Sequence, residues 1–489
     1  MQQANSYSPG ILARVILILT GIVFSLVMVE IGLRLFYPQA TYGRATALTD
    51  GVFRESEWLI YELTPNFDGV LHTFENDAID WHVKTNSLGF RDEEFTVEKP
   101  DSTYRIMITG DSFTFGMSVN DGEDYSTALE QCLMHRIHSP THFQVINAGY
   151  ASGYSPDSYY VFAQEIAPEY DPDMIISAYY VVNDFLDLYD SVWVGEVDGM
   201  PARITSRTRS LNLQGQLTFR DTLPRYKIPI LRDSHVYQLL MELLLENKPD
   251  LKGAAGEYAN AAEDYPYVYD PTLPPDMQDA FDRSMRMLSG LNDSGAENDF
   301  AFLTLIIPSA EQTSREFWGE RDDIVFPDSP EEFYPQKAIR DYLETHNIAY
   351  LDLLPDFWGK SELYFAPAAH WTATGQRYAG NRLCDYLIDT DFRDMLRDEN
   401  PDALQGIIDE SGENVSFYVD SCTWNISTDA FADSDNSAST FTASGCDSTL
   451  TASPAGENAF TLQMQDSSGQ NSGAPINLNM TEGFLSFPG

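Results

Sequence analysis

Positive charge is scarce in this 489-residue chain: 29 Lys and Arg stand against 75 Asp and Glu, a formal net charge of -46. A polyanion would be repelled over most of such a surface, which argues against nucleic acid as a partner. Beyond Arg397 there is no Lys or Arg at all. Cysteine is sparse as well. Cys132, Cys384, Cys422 and Cys446 form no CxxC pair and no His/Cys cluster at zinc-finger spacing, so no metal site and no cofactor is expected. Cys422 and Cys446 sit together in a polar tail, where an oxidising compartment would let them close a disulfide, while Cys132 and Cys384 lie in apolar helical contexts. Disorder of the whole chain is excluded by 43% hydrophobic and 13% aromatic residues.

What is present begins with a long apolar run. Residues 11–36 read ILARVILILTGIVFSLVMVEIGLRLF, apolar apart from Arg14, Glu30 and Arg34, and about 26 helical residues cover a bilayer core. No small-x-small cleavage site precedes Tyr37-Pro38, which favours an uncleaved anchor at 11–37, behind a cytoplasmic tail at 1–10, over a removed signal peptide. Arg14 on one side and Arg34 and Arg44 on the other leave the positive-inside bias weak. The acidic body, the tail cysteines and the sequons at Asn414, Asn425 and Asn479 place the main domain outside the cytoplasm, periplasmic or extracellular.

After a Tyr-rich lead-in at 38–100, short β-type runs alternate with helical stretches between 101 and 395, as in a parallel sheet covered by helices. The expected strands are Tyr104–Thr109, Phe143–Asn147, Met174–Tyr180, Ala301–Ile307 and Ala349–Leu353. Such sheets place their sites at strand C-termini, so one shared cleft is expected. Residues 190–300 read as an insertion or lid, containing HVYQLLMELLLE and a further helix from about 276 to 291. The acidic rather than basic charges of HVYQLLMELLLE favour ordinary core packing over a place in a membrane interface. Residues 400–489 alternate in runs such as VSFYVD, NAFTLQMQ and INLNM and read as a small β-sandwich-like domain, with a disordered acidic tail as the other reading.

The strand YRIMIT runs into Gly110-Asp111-Ser112-Phe113-Thr114-Phe115-Gly116, which puts a serine on a glycine-framed turn before a helix N-terminus. That is a place for a nucleophile, although loops use these residues for turn geometry too. Three further blocks, in order, make GDSFTFG resemble the SGNH (GDSL-like) hydrolase family over about 85–390. The resemblance implies a flavodoxin-like parallel sheet with helices on both faces and Ser112 as nucleophile. NAGYASGYS resembles the block whose glycine donates to the oxyanion hole: Gly153 fits best, and Ser152 competes. YYVVNDF resembles the block whose asparagine supplies the second donor, Asn183, with Val182 where the family has glycine. AAHWTATGQRYAG resembles the block of the general base, His370. The prelude Asn86-Ser87-Leu88-Gly89-Phe90-Arg91-Asp92 is similar to one found in anchored or secreted members.

One departure bears on the chemistry. The family places an Asp two or three residues before the histidine, and this chain has Pro367 and Ala368 there; losing such an orienting group lowers turnover by about 10⁴. Asp352 and Asp356 are candidate substitutes. The resemblance implies an extracytoplasmic esterase or O-acyl transferase acting on cell-surface carbohydrate, with a multi-pass membrane acyltransferase as partner. The alternative is a catalytically degraded scaffold or glycan-binding subunit of a membrane assembly.

Overall fold

The computed structural model describes residues 10–37, 51–72, 80–151, 153–206, 209–211, 217–219, 228, 231–232, 234–245, 273, 275–318, 326–365, 370–392, 404–419, 422–427, 439–442, 448–456, 459–466, 468–481 and 484–487. The principal helices are α1 (Ile11–Phe36), α2 (Ser112–Phe115), α3 (Tyr125–Arg136), α4 (Pro156–Glu165), α5 (Asp184–Asp190), α6 (His235–Leu245), α7 (Pro275–Asn298), α8 (Gln336–Thr345) and α9 (Ala373–Leu387). The chain divides into two compact units: Met1–Glu55 with Arg207–Glu257, and Ser56–Ser206 with Tyr258–Gly489.

In the first unit the apolar run forms α1, long and apolar enough to cross a membrane from Ala13 to Phe36. α6 packs against it. Core packing of α6, expected from HVYQLLMELLLE, is not what forms: Leu240 and Leu244 are 51% and 60% exposed.

The second unit is built on strands β1 (Thr103–Gly110), β2 (Ile137–His138), β3 (His142–Gly149), β4 (Met174–Tyr180), β5 (Ala301–Ile307) and β6 (Tyr350–Asp352). Five of them form one parallel sheet in the order β6-β5-β4-β1-β3. This is the flavodoxin-like order, and it reverses between β1 and β4. All seven residues of β4 are buried, as a sheet covered on both faces requires. The five expected strands are these five, with ends shifted by up to two residues. α3 packs on α9, and α4 on α7. The α3–α9 crossing is close because Gly380 has no side chain: a Cβ there would lie 2.6 Å from Tyr125 O and from Ala128 Cβ. α7, expected inside the insertion, packs on α4, α5 and β5 and buries Ala280, Phe281, Met285, Leu288 and Leu291. The acidic Tyr-rich stretch at 246–272 lies outside the described residues.

Cys132 on α3 and Cys384 on α9 form a disulfide, with Cα atoms 6.2 Å apart. Their apolar helical contexts were compatible with buried thiols; the close helix crossing is what brings them together. Cys422 is also disulfide-bonded, and Cys446 lies outside the described residues.

The C-terminal segment is folded. β7 (Gln405–Ile408), β8 (Asn414–Val419) and β9 (Cys422–Ser427) form an antiparallel sheet, and β10 (Ser439–Thr442), β11 (Thr449–Gly456), β12 (Ala459–Gln465), β13 (Asn471–Thr481) and β14 (Phe484–Ser486) form another. Alternate side chains of the two, among them Phe417, Trp424, Leu450, Leu462, Ile476 and Leu478, share one core. The first sheet does not stop at the accessory segment, since β2 pairs with β7 through Ile137↔Ile407 and His138↔Gly406.

Candidate active site

The strand order reverses between β1 and β4, where crevices form at the C-terminal edge of such sheets. Register places the ends of the three strands together, with Gly110 opposite Gly149 and Thr109 opposite Ser177. The loops that follow carry Ser112, Gly153 and Asn183. β1 enters a single helical turn, α2, with the Asp111 carboxylate capping it by accepting from Phe113 N–H at 2.9 Å. Gly110 is obligatory there: a Cβ would lie 2.0 Å from Thr114 Oγ1. The helix expected after the serine is a single turn. Gly116 adopts the left-handed conformation and ends the turn, so the Ser112 N–H, first of that turn, is a local donor with little macrodipole behind it.

Ser112 Oγ lies 2.8 Å from His370 Nε2 across 258 residues of sequence. This is the contact that general-base activation of a serine requires. The histidine is held by its neighbours. Phe365 N–H donates to His370 O at 2.9 Å and Thr372 N–H to Leu363 O at 2.8 Å. Trp371, fully buried, packs among Phe113, Tyr125, Phe357 and Tyr364. The His370 ring itself lies 5.1 Å from that of Phe113. Immediately after this segment Thr372 caps α9 by accepting from Gly375 N–H at 3.1 Å.

Pro367 and Ala368, where the family's aspartate would stand, lie outside the described residues. The two candidate substitutes are engaged by arginines: Asp352 with Arg340, and Asp356 with Arg382 at 3.0 Å.

Gly153 is buried and has φ +79°, a conformation that glycine adopts without strain. Ser152, its competitor, lies outside the described residues. The stretch around Gly153 is fixed by aromatic contacts: Tyr150 and Tyr154 stack at 4.0 Å, and Tyr154 O–H donates to Tyr61 O. Asn183 begins α5 without capping it by its side chain. Its Nδ2 donates to Asp187 Oδ2 at 2.8 Å. Asp111, Asp184 and Asp187 thus surround Asn183 with carboxyl groups. Burial pushes Asp111 up to about 7, against the Phe113 N–H bond and the favourable charge of His370. Burial, then the nearby Asp111 and Asp187, pushes Asp184 well above the carboxylate range.

Sequence reading named the dyad and the donors but assigned no role to what supports them. Arg91 of the prelude is fully buried and donates to Phe115 O, Gly116 O at 2.6 Å and Val119 O at 2.7 Å. Its guanidinium lies over the Trp81 and Phe115 rings. Asp92, raised well above its usual range by burial, accepts from Asn147 N–H at 2.9 Å. The Asn147 amide in turn donates to Thr114 O at 2.8 Å. From the other side Gln376 of α9 donates to Phe113 O at 3.2 Å and accepts from Tyr125 N–H at 3.0 Å. The signal available for Arg91 was a lone arginine in the apolar context of LGFRD.

Among the described residues no group of three or more His, Cys, Asp or Glu is arranged to hold a metal ion. No family's sequence pattern and no curated protein matches the chain. Solved structures similar to it include a G-D-S-L family protein described as lipolytic from Desulfitobacterium hafniense DCB-2, at 13% identity and TM-score 0.28, covering 57% of this chain and 97% of that one. A Geobacillus acetyl-xylooligosaccharide esterase variant is similar at 11% identity and TM-score 0.30, covering 59% and 94%. A GDSL-like lipase from Bacteroides thetaiotaomicron VPI-5482 is similar at 9% identity and TM-score 0.27, covering 62% and 93%. The sheet order is flavodoxin-like, and the segments after three of its strand ends bear Ser112, Gly153 and Asn183.

Proposed function

We propose that this chain is a membrane-anchored, extracytoplasmic SGNH-type serine esterase or O-acyl transferase acting on carbohydrate esters of the cell surface. The observation that carries the reading is the 2.8 Å contact between Ser112 Oγ and His370 Nε2 at the sheet's topological switch point. Ser112 Oγ attacks the ester carbonyl as His370 Nε2 takes its proton. The oxyanion is received by N–H groups of Ser112 and Gly153 and by the Asn183 amide, once that amide turns from Asp187. Collapse expels the alcohol with the proton from His370. Water, or an acceptor hydroxyl in the transferase reaction, then attacks the acyl-serine by the reverse use of the same base. The α1 helix supports anchoring, and a disulfide between Cys132 and Cys384 supports an oxidising compartment. A multi-pass acyltransferase as donor of the acyl group fits this placement.

A catalytically silent scaffold is the second reading, favoured by one observation: the Asn183 amide is already occupied by Asp187. A fluorophosphonate probe separates the two in the full chain. The esterase reading expects a Ser112 adduct and p-nitrophenyl acetate turnover that is lost in Ser112→Ala. A folded protein without the adduct favours the scaffold; turnover that survives Ser112→Ala removes the serine as nucleophile.

A further inference from the structure

α6 is amphipathic in the inverted sense. At 100° per residue, Val236, Leu240 and Leu244 form one stripe, and the last two are 51% and 60% exposed. On the opposite side His235 and Gln238 are buried; the Gln238 amide donates to Arg232 O at 2.8 Å. A soluble helix does the reverse, and an apolar stripe directed outward is stable where its solvent is not water. The turn leading into α6 continues the pattern, with Ile228 and Leu231 exposed by 47% and 38%.

The position of α6 is set by the one acidic residue of α1. Glu30 accepts from Ser234 Oγ at 2.9 Å, His235 N–H at 3.0 Å and Val236 N–H at 2.9 Å, while Arg34 Nε donates to it at 2.8 Å. A carboxylate in an apolar spanning helix is costly unless partnered, and here it satisfies the open N–H groups at the start of a second helix. Glu30 lies six residues before the end of α1, about 9 Å along the axis, in its C-terminal third. The exposed side chains of α1, such as Val27, Ile31 and Leu35, and the Leu240–Leu244 stripe therefore belong to one unit, joined at Glu30.

We infer that α6 is a second lipid-contacting element, lying in the bilayer interface beside α1 with Val236, Leu240 and Leu244 in the acyl region. The inference rests on the reading of α1 as a membrane-spanning anchor. It gives the acidic helix HVYQLLMELLLE an anchoring role without basic residues, because Glu30 rather than an anionic headgroup fixes it to the membrane boundary.

The test uses the full chain reconstituted in phosphatidylcholine vesicles. The cysteines among the described residues are disulfide-bonded, so an introduced thiol takes an environment-sensitive dye selectively. Leu244→Cys is the probe position, Leu240→Cys its replicate, Leu19→Cys the control on α1 and Lys337→Cys the aqueous control. Quenching by brominated lipid is expected at Leu244 and Leu240 at no less than about half the extent at Leu19, as for an apolar face buried about 5–10 Å in the interface, with none at Lys337. Quenching at Leu19 but at neither α6 position overturns the inference and leaves the anchor standing. No quenching at Leu19 overturns both. An α6 label unquenched in pure lipid but shielded from aqueous iodide in native membranes assigns the face to a protein and likewise overturns it.

Discussion

The Cys132–Cys384 bridge ties together the helices that follow the two reactive side chains, α3 behind the Ser112 turn and α9 behind His370. Its loop is 252 residues long. Closing a loop of that length removes on the order of 5 kcal/mol of chain entropy from the unfolded state, with about 2–4 kcal/mol typical of measured bridges. The folded state has other reasons to keep the crossing: the Gly380 contact, the Arg136–Asp385 ion pair and the bonds of Gln376 to Phe113 and Tyr125. The Cys132→Ser/Cys384→Ser variant should therefore keep the Ser112–His370 geometry and lose stability. Urea unfolding of the full chain in detergent, followed by tryptophan fluorescence, measures this, because Trp371 is buried in the aromatic nest beside the dyad. The expected result is a loss of about 3–5 kcal/mol with native-state labelling of Ser112 retained. A variant within about 1 kcal/mol of the parent refutes the loop-closure reasoning. A stable variant that no longer labels shows instead that the bridge holds the dyad in place.

Arg91→Met keeps the aliphatic bulk but takes the buried donor from the carbonyls of Phe115 and Val119 and leaves Gly116 O only the Val119 N–H; a loss of about 4 kcal/mol in denaturant unfolding is expected, and one below about 1 kcal/mol contradicts the role given to Arg91. Asn183→Ala is expected to lower kcat for p-nitrophenyl acetate by about 10²–10³ with KM little changed; an unchanged kcat removes Asn183 from the oxyanion hole. Asp111 titrates near 7 folded and near 4 unfolded, so between those values the folded state holds a proton that the unfolded chain releases. Its contribution therefore makes stability fall as pH rises from about 4 to 7, by up to about 4 kcal/mol. Asp111→Asn keeps the cap to Phe113 and should flatten that part of the wild-type pH profile; profiles that stay parallel from pH 4 to 8 sink the assignment.

The sheet was legible because β1, β3, β4 and β5 are apolar runs of seven or eight residues, each ending at a glycine, a proline or a turn. The serine and histidine were legible through motifs, since GDS follows β1 and AAHW precedes a helix with its cap, Thr372. Long-range pairing was not. Cys132 and Cys384 stand in helices whose sequences give no sign that Gly380 lets them cross within disulfide reach, and the visible pair was the one close in sequence. The same limit applied to α6, where the pattern of apolar and polar residues gives an amphipathic helix but not which side faces out. The buried side was decided by Glu30, some 200 residues away and read only as an interruption in the anchor.

The supports of the dyad share a physical form: a buried polar side chain that satisfies backbone groups exposed by a tight turn. The turn at Ser112 needs them because a single helical turn ended by Gly116 has no continuing helix to donate to the carbonyls of Thr114 and Phe115, and gives Phe113 O and Gly116 O one local backbone donor each. Arg91, Asn147 and Gln376 each supply a donor, from the prelude, from β3 and from α9 respectively. Displacement of any one of these segments would move the serine relative to the histidine, and a shift of about 1 Å costs on the order of 100-fold in rate. The prelude is therefore part of the active-site scaffold although it contributes no reactive group. The carboxyl groups beneath Asn183 have the opposite effect on chemistry: ionised, they favour the imidazolium of His370 and disfavour an oxyanion nearby. Burial pushes Asp184 well above the usual carboxylate range and Asp111 up to about 7, so the balance between those two demands shifts with pH at the residue that precedes the nucleophile.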